Sequence, residues 1–158
     1  MPTLPQLLEE DIQCLQSVLS EFLVHSDAQA ALVIDKAGFL IAQEGRYDRL
    51  DFTTLAALAA GSFLANEQIA ALIGEDNFNS VYQQGEKTSL LIYNVNAESL
   101  LVVSFRASLG VGVVKYYADP AIQRISRQLR IAHDRDPGTG LDLSILNLAD
   151  TSSLFRKQ

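Results

Sequence analysis

Hydrophobic residues in the first quarter of the chain change from helical to strand spacing. The first apolar set recurs in steps of four and three, at Leu8, Ile12, Leu15, Leu19 and Phe22. This spacing predicts an amphipathic helix over residues 6–24. Two short apolar runs follow, at residues 30–34 and 39–42, separated by the turn sequence Asp35-Lys36-Ala37-Gly38. The runs predict a β-hairpin, because the Asp side chain starts a turn and Gly38 supplies a positive φ. The first run is expected to be a central strand.

The segment from Asp51 to Gly74 is apolar all round at helical spacing. Asp51 is placed as the N-cap of a long helix, and Gly74 lies where a left-handed residue usually ends one. The residues expected to face the protein's own core are Leu55, Leu58, Ala59, Ser62, Ile69, Leu72 and Ile73. The residues expected on the opposite side are Thr54, Ala57, Ala60, Gly61, Leu64, Ala65, Gln68 and Ala71.

The opposite side of this helix is no more polar than the side assigned to the core. Glu67 is the only ionisable residue between Asp51 and Gly74, whereas a solvated face normally carries several charges. The pattern therefore predicts contact with a second subunit or another protein. The alternative is a helix buried on both sides within one larger domain. A membrane span is disfavoured, because polar residues 66–68 interrupt the apolar run of ~20 residues that a span needs.

The second half of the chain predicts three strands and a final helix. Residues 80–84, 89–95 and 99–105 indicate a meander, whose first strand is short and polar enough for a sheet edge. Residues 108–114 fit strand or helix, and helix is favoured. Asp119 and Pro120 are interpreted as a cap and first-turn proline, which predicts a helix over residues 120–133 and a break or kink near Pro120. The domain organisation predicted is therefore a domain over residues 6–133, a linker over 134–140 and a tail over 141–158.

Composition narrows the class of protein. The chain has 158 residues, of which 48% are hydrophobic and 20% charged, and this suits one folded domain. A net charge of -7 argues against nucleic acid or an anionic membrane as the main partner, since both attract basic surfaces. One cysteine, Cys14, cannot form an internal disulfide, and the acidic N-terminal region does not resemble a secretion signal. A cytoplasmic protein is predicted.

No residues in the sequence form a recognisable catalytic or metal-binding pattern. His25 and His133 lie far apart and are expected at helix ends, and neither is joined by a motif to a nucleophile. No Cys, His, Asp and Glu group has the spacing of metal ligands, so no metal or cofactor is expected. Gly110 and Gly112 lack the further residues of a phosphate loop. The sequence therefore predicts a protein that is not an enzyme.

The last predicted helix carries a basic stripe of Arg124, Arg127 and Arg130. The stripe is interpreted either as a solvated face or as a dock for an acidic partner.

The order of elements resembles the Roadblock/dynein light-chain domain family. Five phrases are similar to its bacterial MglB branch, and they lie in register along residues 6–132. The phrases are Leu32-Val33-Ile34-Asp35-Lys36-Ala37-Gly38, Asp51-Phe52-Thr53-Thr54-Leu55-Ala56-Ala57-Leu58-Ala59-Ala60-Gly61, Leu72-Ile73-Gly74-Glu75, Gln84-Gly85 and Ser108-Leu109-Gly110. Each phrase alone is loose, but together they are moderately specific.

The resemblance implies an α+β (α/β) fold of Roadblock/longin-like type, in the order αββαβββα. A five-stranded antiparallel sheet would be sandwiched between the long helix and the two terminal helices. The resemblance also implies a homodimer with antiparallel long helices and third strands paired edge to edge. The implied dimer interface comprises Ala57, Ala60, Gly61, Leu64, Ser80, Val81, Tyr82 and Gln83.

MglB-type proteins bind a small Ras-like GTPase, MglA, and stimulate its GTP hydrolysis during bacterial motility and polarity control. The resemblance implies that this chain binds the switch regions of an MglA-like GTPase. The implied contact residues are Thr54, Ala57, Gly61, Leu64, Ala65 and Gln68. The family reorganises catalytic groups of the GTPase, so Arg46, Arg49 and Arg106 are not assigned as arginine fingers.

The tail resembles the C-terminal segment of the same branch. Leu143, Leu146, Leu154 and Phe155 would dock in a groove on the GTPase, or the tail would be an unanchored end.

Two other functions remain open from the sequence. The first is a Roadblock scaffold that binds without any effect on hydrolysis. The second is a sensor of a small ligand that uses the cleft beside the meander. A sensor requires buried, convergent polar groups, and the sequence identifies none.

Overall fold

The computed structural model describes residues 7–46 and 51–135. These residues form three helices, α1 (Glu9–Ser26), α2 (Phe52–Leu72) and α3 (Val111–His133). They also form five strands, β1 (Ala30–Asp35), β2 (Leu40–Gly45), β3 (Ser80–Gln83), β4 (Thr88–Asn94) and β5 (Ser99–Arg106). The order αββαβββα is confirmed. The predicted linker and tail fall mostly outside the described residues and stay predictions.

The five strands form one antiparallel sheet with the order β2-β1-β5-β4-β3. Side chains alternate across it, as the period of two in a strand requires. Val33 of β1 packs with α1 and α3, whereas its neighbour Leu32 packs with α2. The sheet is therefore sandwiched between α2 on one face and the terminal helices on the other. β1 is central and entirely buried, and β3 is an edge strand, as the sequence predicted.

A β-bulge interrupts the pairing of β1 and β2. Val33 pairs with Ala42, but Ile34 pairs with Leu40, so Ile41 is an extra residue in β2. As a result, Ile41 and Ala42 both pack on the face of α1 and α3, while Leu40 packs on the face of α2. A bulge commonly directs a side chain in this way.

Helix α2 begins at the cap that the sequence predicted. The backbone N–H of Thr54 donates to Asp51 Oδ1 at 3.0 Å, and the Thr54 hydroxyl donates to Oδ2 at 2.6 Å. Both hydrogen bonds lower the pKa of Asp51 below its ordinary value, and the bond from the Thr54 hydroxyl has the larger effect. Gly74 follows the helix with a φ of 80°, which is the left-handed residue expected there.

The assignment of the inner face of α2 was wrong for four residues. Leu58, Ile69, Leu72 and Ile73 are between 53% and 86% exposed. The residues of α2 that are buried against the sheet are Ala56, Ala59, Ala60, Phe63 and Ala70. These positions also follow helical spacing, and their small side chains bring the helix close to the strands. Apolar residues lie on all sides of α2, so spacing alone did not identify the inner face.

Helix α3 is continuous through Pro120, so the break predicted there was wrong. Pro120 has no N–H to donate to the carbonyl of Tyr116 one turn earlier. Tyr116 is 71% exposed and Pro120 is also exposed, so the missing hydrogen bond lies on the outer side of the helix, where its loss is less costly than in the core. Asp119 is not a cap. It accepts a hydrogen bond from the Tyr93 hydroxyl at 2.8 Å, which raises the pKa of Tyr93.

A buried carboxylate joins α1 to the end of α3. Asp11 is fully buried and accepts hydrogen bonds from both Arg135 Nη atoms, at 2.8 and 2.9 Å. It also accepts from Gln128 Nε2 at 2.7 Å and from the backbone N–H of Leu8 at 2.8 Å. The hydrogen bond with Arg135 is the main cause that lowers the pKa of Asp11. This cluster fixes the C-terminal end of α3 against the N-terminal turn of α1.

By length and composition, α2 is apolar enough to cross a membrane. In the fold it packs one face on the sheet through its alanines and Phe63. One helix of this kind is weak evidence for a membrane span.

Candidate partner-binding surface

The outward side of α2 is a broad surface without basic residues. The GTPase-binding residues implied by resemblance, Thr54, Ala57, Gly61, Leu64, Ala65 and Gln68, are all exposed. The structure adds to them the four large apolar residues that the sequence had assigned to the core, Leu58, Ile69, Leu72 and Ile73. We call these ten residues the outward α2 surface. Residues 7–46 and 51–135 leave it uncovered, so within them α2 is not buried on both sides.

Ala60 does not belong to this surface. It is 5% exposed and packs against the sheet with Ala59 and Phe63, so it does not face outward, and its expected place in a dimer interface stays a prediction. Ala57, Gly61 and Leu64 of the same expected interface do face outward. A Cβ atom built on Gly61 meets nothing within 4 Å. The middle of the surface is therefore flat and open to a close approach.

The turn between β1 and β2 borders the outward α2 surface. A Cβ atom on Gly38 would lie 3.3 Å from Ala57 Cα, and the φ of Gly38 is 104°. Both facts favour glycine at this position. Beside it, Lys36 Nζ lies 5.4 Å from the centre of the Phe63 ring, and Phe39 is 64% exposed. The hairpin turn therefore extends the apolar surface beyond the N-terminal half of α2.

The C-terminal end of α2 adds negative charge. A shallow cleft of about 340 Å³ there is lined by Glu67, Glu75 and Asp76, among other residues. Since α2 itself carries no basic residue, the surface combines an apolar centre with an acidic end. A partner with an apolar patch and adjacent basic residues would complement it.

The outer edge of β3 has free backbone groups. The N–H of Asn94 donates to the carbonyl of Asn79 at 2.8 Å, and Val81 pairs with Ile92. Because hydrogen-bonded pairs alternate in an antiparallel ladder, the backbone groups of Ser80 and Tyr82 point away from β4. Tyr82 also stacks on Phe105 with ring centres 6.2 Å apart, and Gln83 is exposed. The strand is therefore able to pair with another strand.

The basic stripe and the tail, which the sequence analysis also singled out, do not contribute to the outward α2 surface among the described residues. Arg124 forms an ion pair with Glu21 at 2.9 Å, while Arg127 and Arg130 line clefts beside α3, so the basic stripe lies on the opposite face of the sheet. Leu143, Leu146, Leu154 and Phe155 lie outside the described residues.

The candidate chemical groups are dispersed. His25 is near the end of α1 and His133 ends α3, as expected, and Cys14 is a half-buried free thiol. Among residues 7–46 and 51–135, no three or more His, Cys, Asp or Glu side chains form a group that could hold a metal ion.

Comparisons with known proteins point to one family. The sequence model of the Roadblock/LC7 domain family matches residues 15–105 of this chain. A solved structure of MglB with a tetrameric arrangement is 30% identical, with a TM-score of 0.77, over 84% of this chain and 98% of that one. The gliding protein MglB from Thermus thermophilus is also 30% identical, with a TM-score of 0.74, over 82% and 98%. Myxococcus xanthus MglB is 30% identical, with a TM-score of 0.68, over 72% and 92%. Among curated protein sequences, none matches this chain.

Proposed function

Because this chain belongs to the Roadblock/LC7 domain family, we propose that it regulates a small Ras-like GTPase by binding it as a homodimer. Its role is that of an MglB-type GTPase activator without an active site of its own, acting in the cytoplasm in cell polarity and gliding motility. The support comes from similarity to MglB structures over most of the chain and from the outward α2 surface. Exposed apolar surface of this kind marks a protein interface.

The outward α2 surface is the observation that carries the proposal. It contains five large apolar side chains that are more than half exposed, Leu58, Leu64, Ile69, Leu72 and Ile73. Two such surfaces from antiparallel α2 helices, joined by paired β3 edges, would form one platform across a two-fold axis. Residues near Gly61 of both protomers would then be available for the switch regions of the GTPase.

The proposed mechanism is selection of a conformation in the partner. Platform contacts that fit only the hydrolysis-competent switch state would raise its population by their differential binding free energy. Helix α2 has no arginine, and Arg106 forms an ion pair with Asp27. The proposal therefore assigns the groups that stabilise the transition state to the GTPase.

The test is GTP turnover by an MglA-like GTPase from the same organism, with and without this protein. We expect wild type to accelerate turnover and Gly61→Arg to abolish the acceleration and weaken binding at least tenfold. The charged side chain would enter the platform, whereas nothing within 4 Å opposes a Cβ at this position. Gly112→Arg is the matched control, because Gly112 lies on α3 and also has no neighbour within 4 Å of an added Cβ.

Two outcomes would contradict parts of the proposal. Binding without acceleration would favour a scaffold that uses the same surface without affecting hydrolysis. Equal activity of Gly61→Arg and Gly112→Arg would show that the outward α2 surface does not bind the GTPase.

The C-terminal tail is proposed as a second contact with the GTPase, through Leu143, Leu146, Leu154 and Phe155. Deleting residues 141–158 should weaken GTPase binding about tenfold or alter nucleotide exchange, because apolar docking area is lost. Isothermal titration and a nucleotide-release assay measure both effects. Unchanged binding and exchange would contradict the role of the tail.

A further inference from the structure

A cleft of about 300 Å³ lies on the face of the sheet opposite α2. It is bounded by the end of β1, the β4–β5 hairpin and the last turns of α3. The backbone N–H of Lys36 donates to the carbonyl of Glu98 at 2.8 Å, so the hairpin is held against the end of β1. The cleft is separated from the outward α2 surface by the sheet.

Asp35 lines this cleft and has an unsatisfied buried oxygen. The residue is 3% exposed. Its Oδ1 accepts hydrogen bonds from the backbone N–H groups of Ala37 and Phe39, both at 3.0 Å. Its Oδ2 is buried and has no hydrogen-bond partner within residues 7–46 and 51–135. Leaving a buried acceptor of this type without a donor is costly, so a ligand that donates to it gains binding free energy.

The cleft also has an apolar wall. Ile41 reaches it because the bulge in β2 places this extra residue on the face of α1 and α3. Leu129, which is 4% exposed, contributes from α3. An apolar wall with a few polar groups of fixed position is typical of a small-molecule site, and a volume near 300 Å³ is at the lower end for such sites. The size therefore favours a small metabolite over a nucleotide.

The rim of the cleft carries charges of both signs. Glu98 is half-buried beside Asp35 on the sheet side, whereas Arg130 and His133 are exposed on α3. Arg130 and His133 are three residues apart in a helix and therefore lie on the same side of it. A carboxylate floor and a basic rim within one small cleft match a ligand with a cationic group and an anionic group.

We propose that this cleft binds a free α-amino acid with an apolar side chain. The ammonium group donates to Asp35 Oδ2 and meets the charge of Glu98, while the carboxylate accepts from the Arg130 guanidinium and from His133. The side chain packs on Ile41 and Leu129. This site does not depend on the proposed GTPase function, since it uses other residues on the other face of the sheet.

The experiment uses the full chain and five probes, namely leucine, isoleucine, valine, methionine and phenylalanine. Isothermal titration and thermal unfolding are measured with each amino acid at up to millimolar concentration. We expect saturable binding of at least one probe and a rise in Tm, because a ligand of the folded state stabilises it. Analogues of the binding probe that lack either the ammonium or the carboxylate, such as 4-methylpentanoate and 3-methylbutylamine for leucine, should bind at least tenfold more weakly.

Variants then assign the binding to the cleft. Asp35→Asn keeps an acceptor for the turn but loses the charge, and Arg130→Gln loses the anion partner on an exposed position. Each should weaken binding at least tenfold, whereas the control Arg124→Gln, on the same helix but paired with Glu21, should bind as wild type does. If Asp35→Asn fails to fold, the comparison of Arg130→Gln with Arg124→Gln alone shows whether the amino acid binds in the cleft.

No binding of any of the five probes would overturn the proposal. It would also be overturned if the analogues bind as well as the amino acid, or if Arg130→Gln binds as tightly as Arg124→Gln. None of these results bears on GTP turnover, so the two proposals fail independently.

Discussion

Asp11 is a single residue that links helices α1 and α3 by hydrogen bonds. Its carboxylate is fully buried and accepts hydrogen bonds from Arg135, Gln128 and the backbone of Leu8. Breaking one partner of a buried pair leaves the other partner without compensation, which is more costly than the pair is stabilising. The same reasoning applies to Asp35, whose Oδ2 has no donor among the residues that the structure describes.

Acid should remove the contribution of Asp11 to stability. Its folded pKa lies below the ordinary value of 3.8 because of Arg135, so the ionised form is favoured in the folded state. The contribution is complete above the unfolded pKa and is lost as pH falls through the folded pKa. We expect Asp11→Asn to lower the free energy of unfolding at pH 7 by about 3 to 5 kcal/mol. The difference from wild type should shrink below about pH 4.

Urea unfolding of both proteins between pH 7 and pH 2.5 measures this difference. A difference in free energy of unfolding between wild type and Asp11→Asn that stays constant from pH 7 to pH 2.5 would contradict the role of the ionised carboxylate. The exposed carboxylates of Glu21 and Asp51, whose pKa values are also lowered, are present in both proteins and cancel in the comparison.

At the scale of elements, the sequence predicted all eight helices and strands in their order. The turn residues Asp35 and Gly38 and the cap Asp51 mark boundaries by local chemistry, which is why they could be predicted. The inner face of α2 could not, because alanine and leucine are both apolar and only contact with the sheet distinguishes them. The continuity of α3 could not be predicted either, because a proline inside a helical pattern is usually a boundary and the packing of Val114, Ala118, Ala121 and Ile125 on the sheet face is seen only in the fold.

The corrected faces of α2 make a direct prediction. Phe63→Ala should lower the free energy of unfolding by about 3 to 5 kcal/mol, because Phe63 is 1% exposed and fills the space between α2 and the sheet. The sequence analysis assigned Leu58 to the core, but this residue is 67% exposed. Leu58→Ala should therefore change the free energy of unfolding of the monomer by less than about 0.5 kcal/mol.

Urea unfolding at several protein concentrations separates monomer stability from any loss of dimer. Equal concentration-independent losses for the two variants would show that the face assignment is wrong.

Of the two candidate sites, the sequence predicted only the outward α2 surface, because its residues all lie on one helix. The scarcity of charge on α2, where Glu67 is the one ionisable residue, was enough to predict a partner, and the six implied contact residues all face outward. The cleft at Asp35 depends on a bulge at Ile41 and on the meeting of β1, the β4–β5 hairpin and α3. These residues are far apart in sequence, so no local pattern reveals their proximity.

For the whole molecule, the edge of β3 provides a test of the proposed dimer that does not alter α2. Ser80→Pro should preserve the fold, because the backbone N–H of Ser80 points away from β4 and proline is tolerated at the outer edge and start of a strand. It should weaken self-association at least tenfold by removing a donor for the second strand. Sedimentation analysis over a concentration series measures this, with Ser80→Ala as the control.

A dimer that is as stable in Ser80→Pro as in Ser80→Ala would show that continuous pairing of sheets is not the mode of association. If Ser80→Pro does weaken the dimer, its GTP turnover shows how much of the effect of Gly61→Arg comes from loss of the dimer alone.

The Asp11–Arg135 cluster has a geometric consequence for the tail. Because Arg135 is anchored beside the first turn of α1, the described part of the chain ends on the side of the sheet opposite α2. Six peptide units connect Arg135 to Leu141, a tether of at most about 20 Å. If the proposed tail contact forms, the tail has to pass around the edge of the sheet to reach a GTPase on α2, so shortening residues 136–140 should weaken that contact before any tail residue is removed.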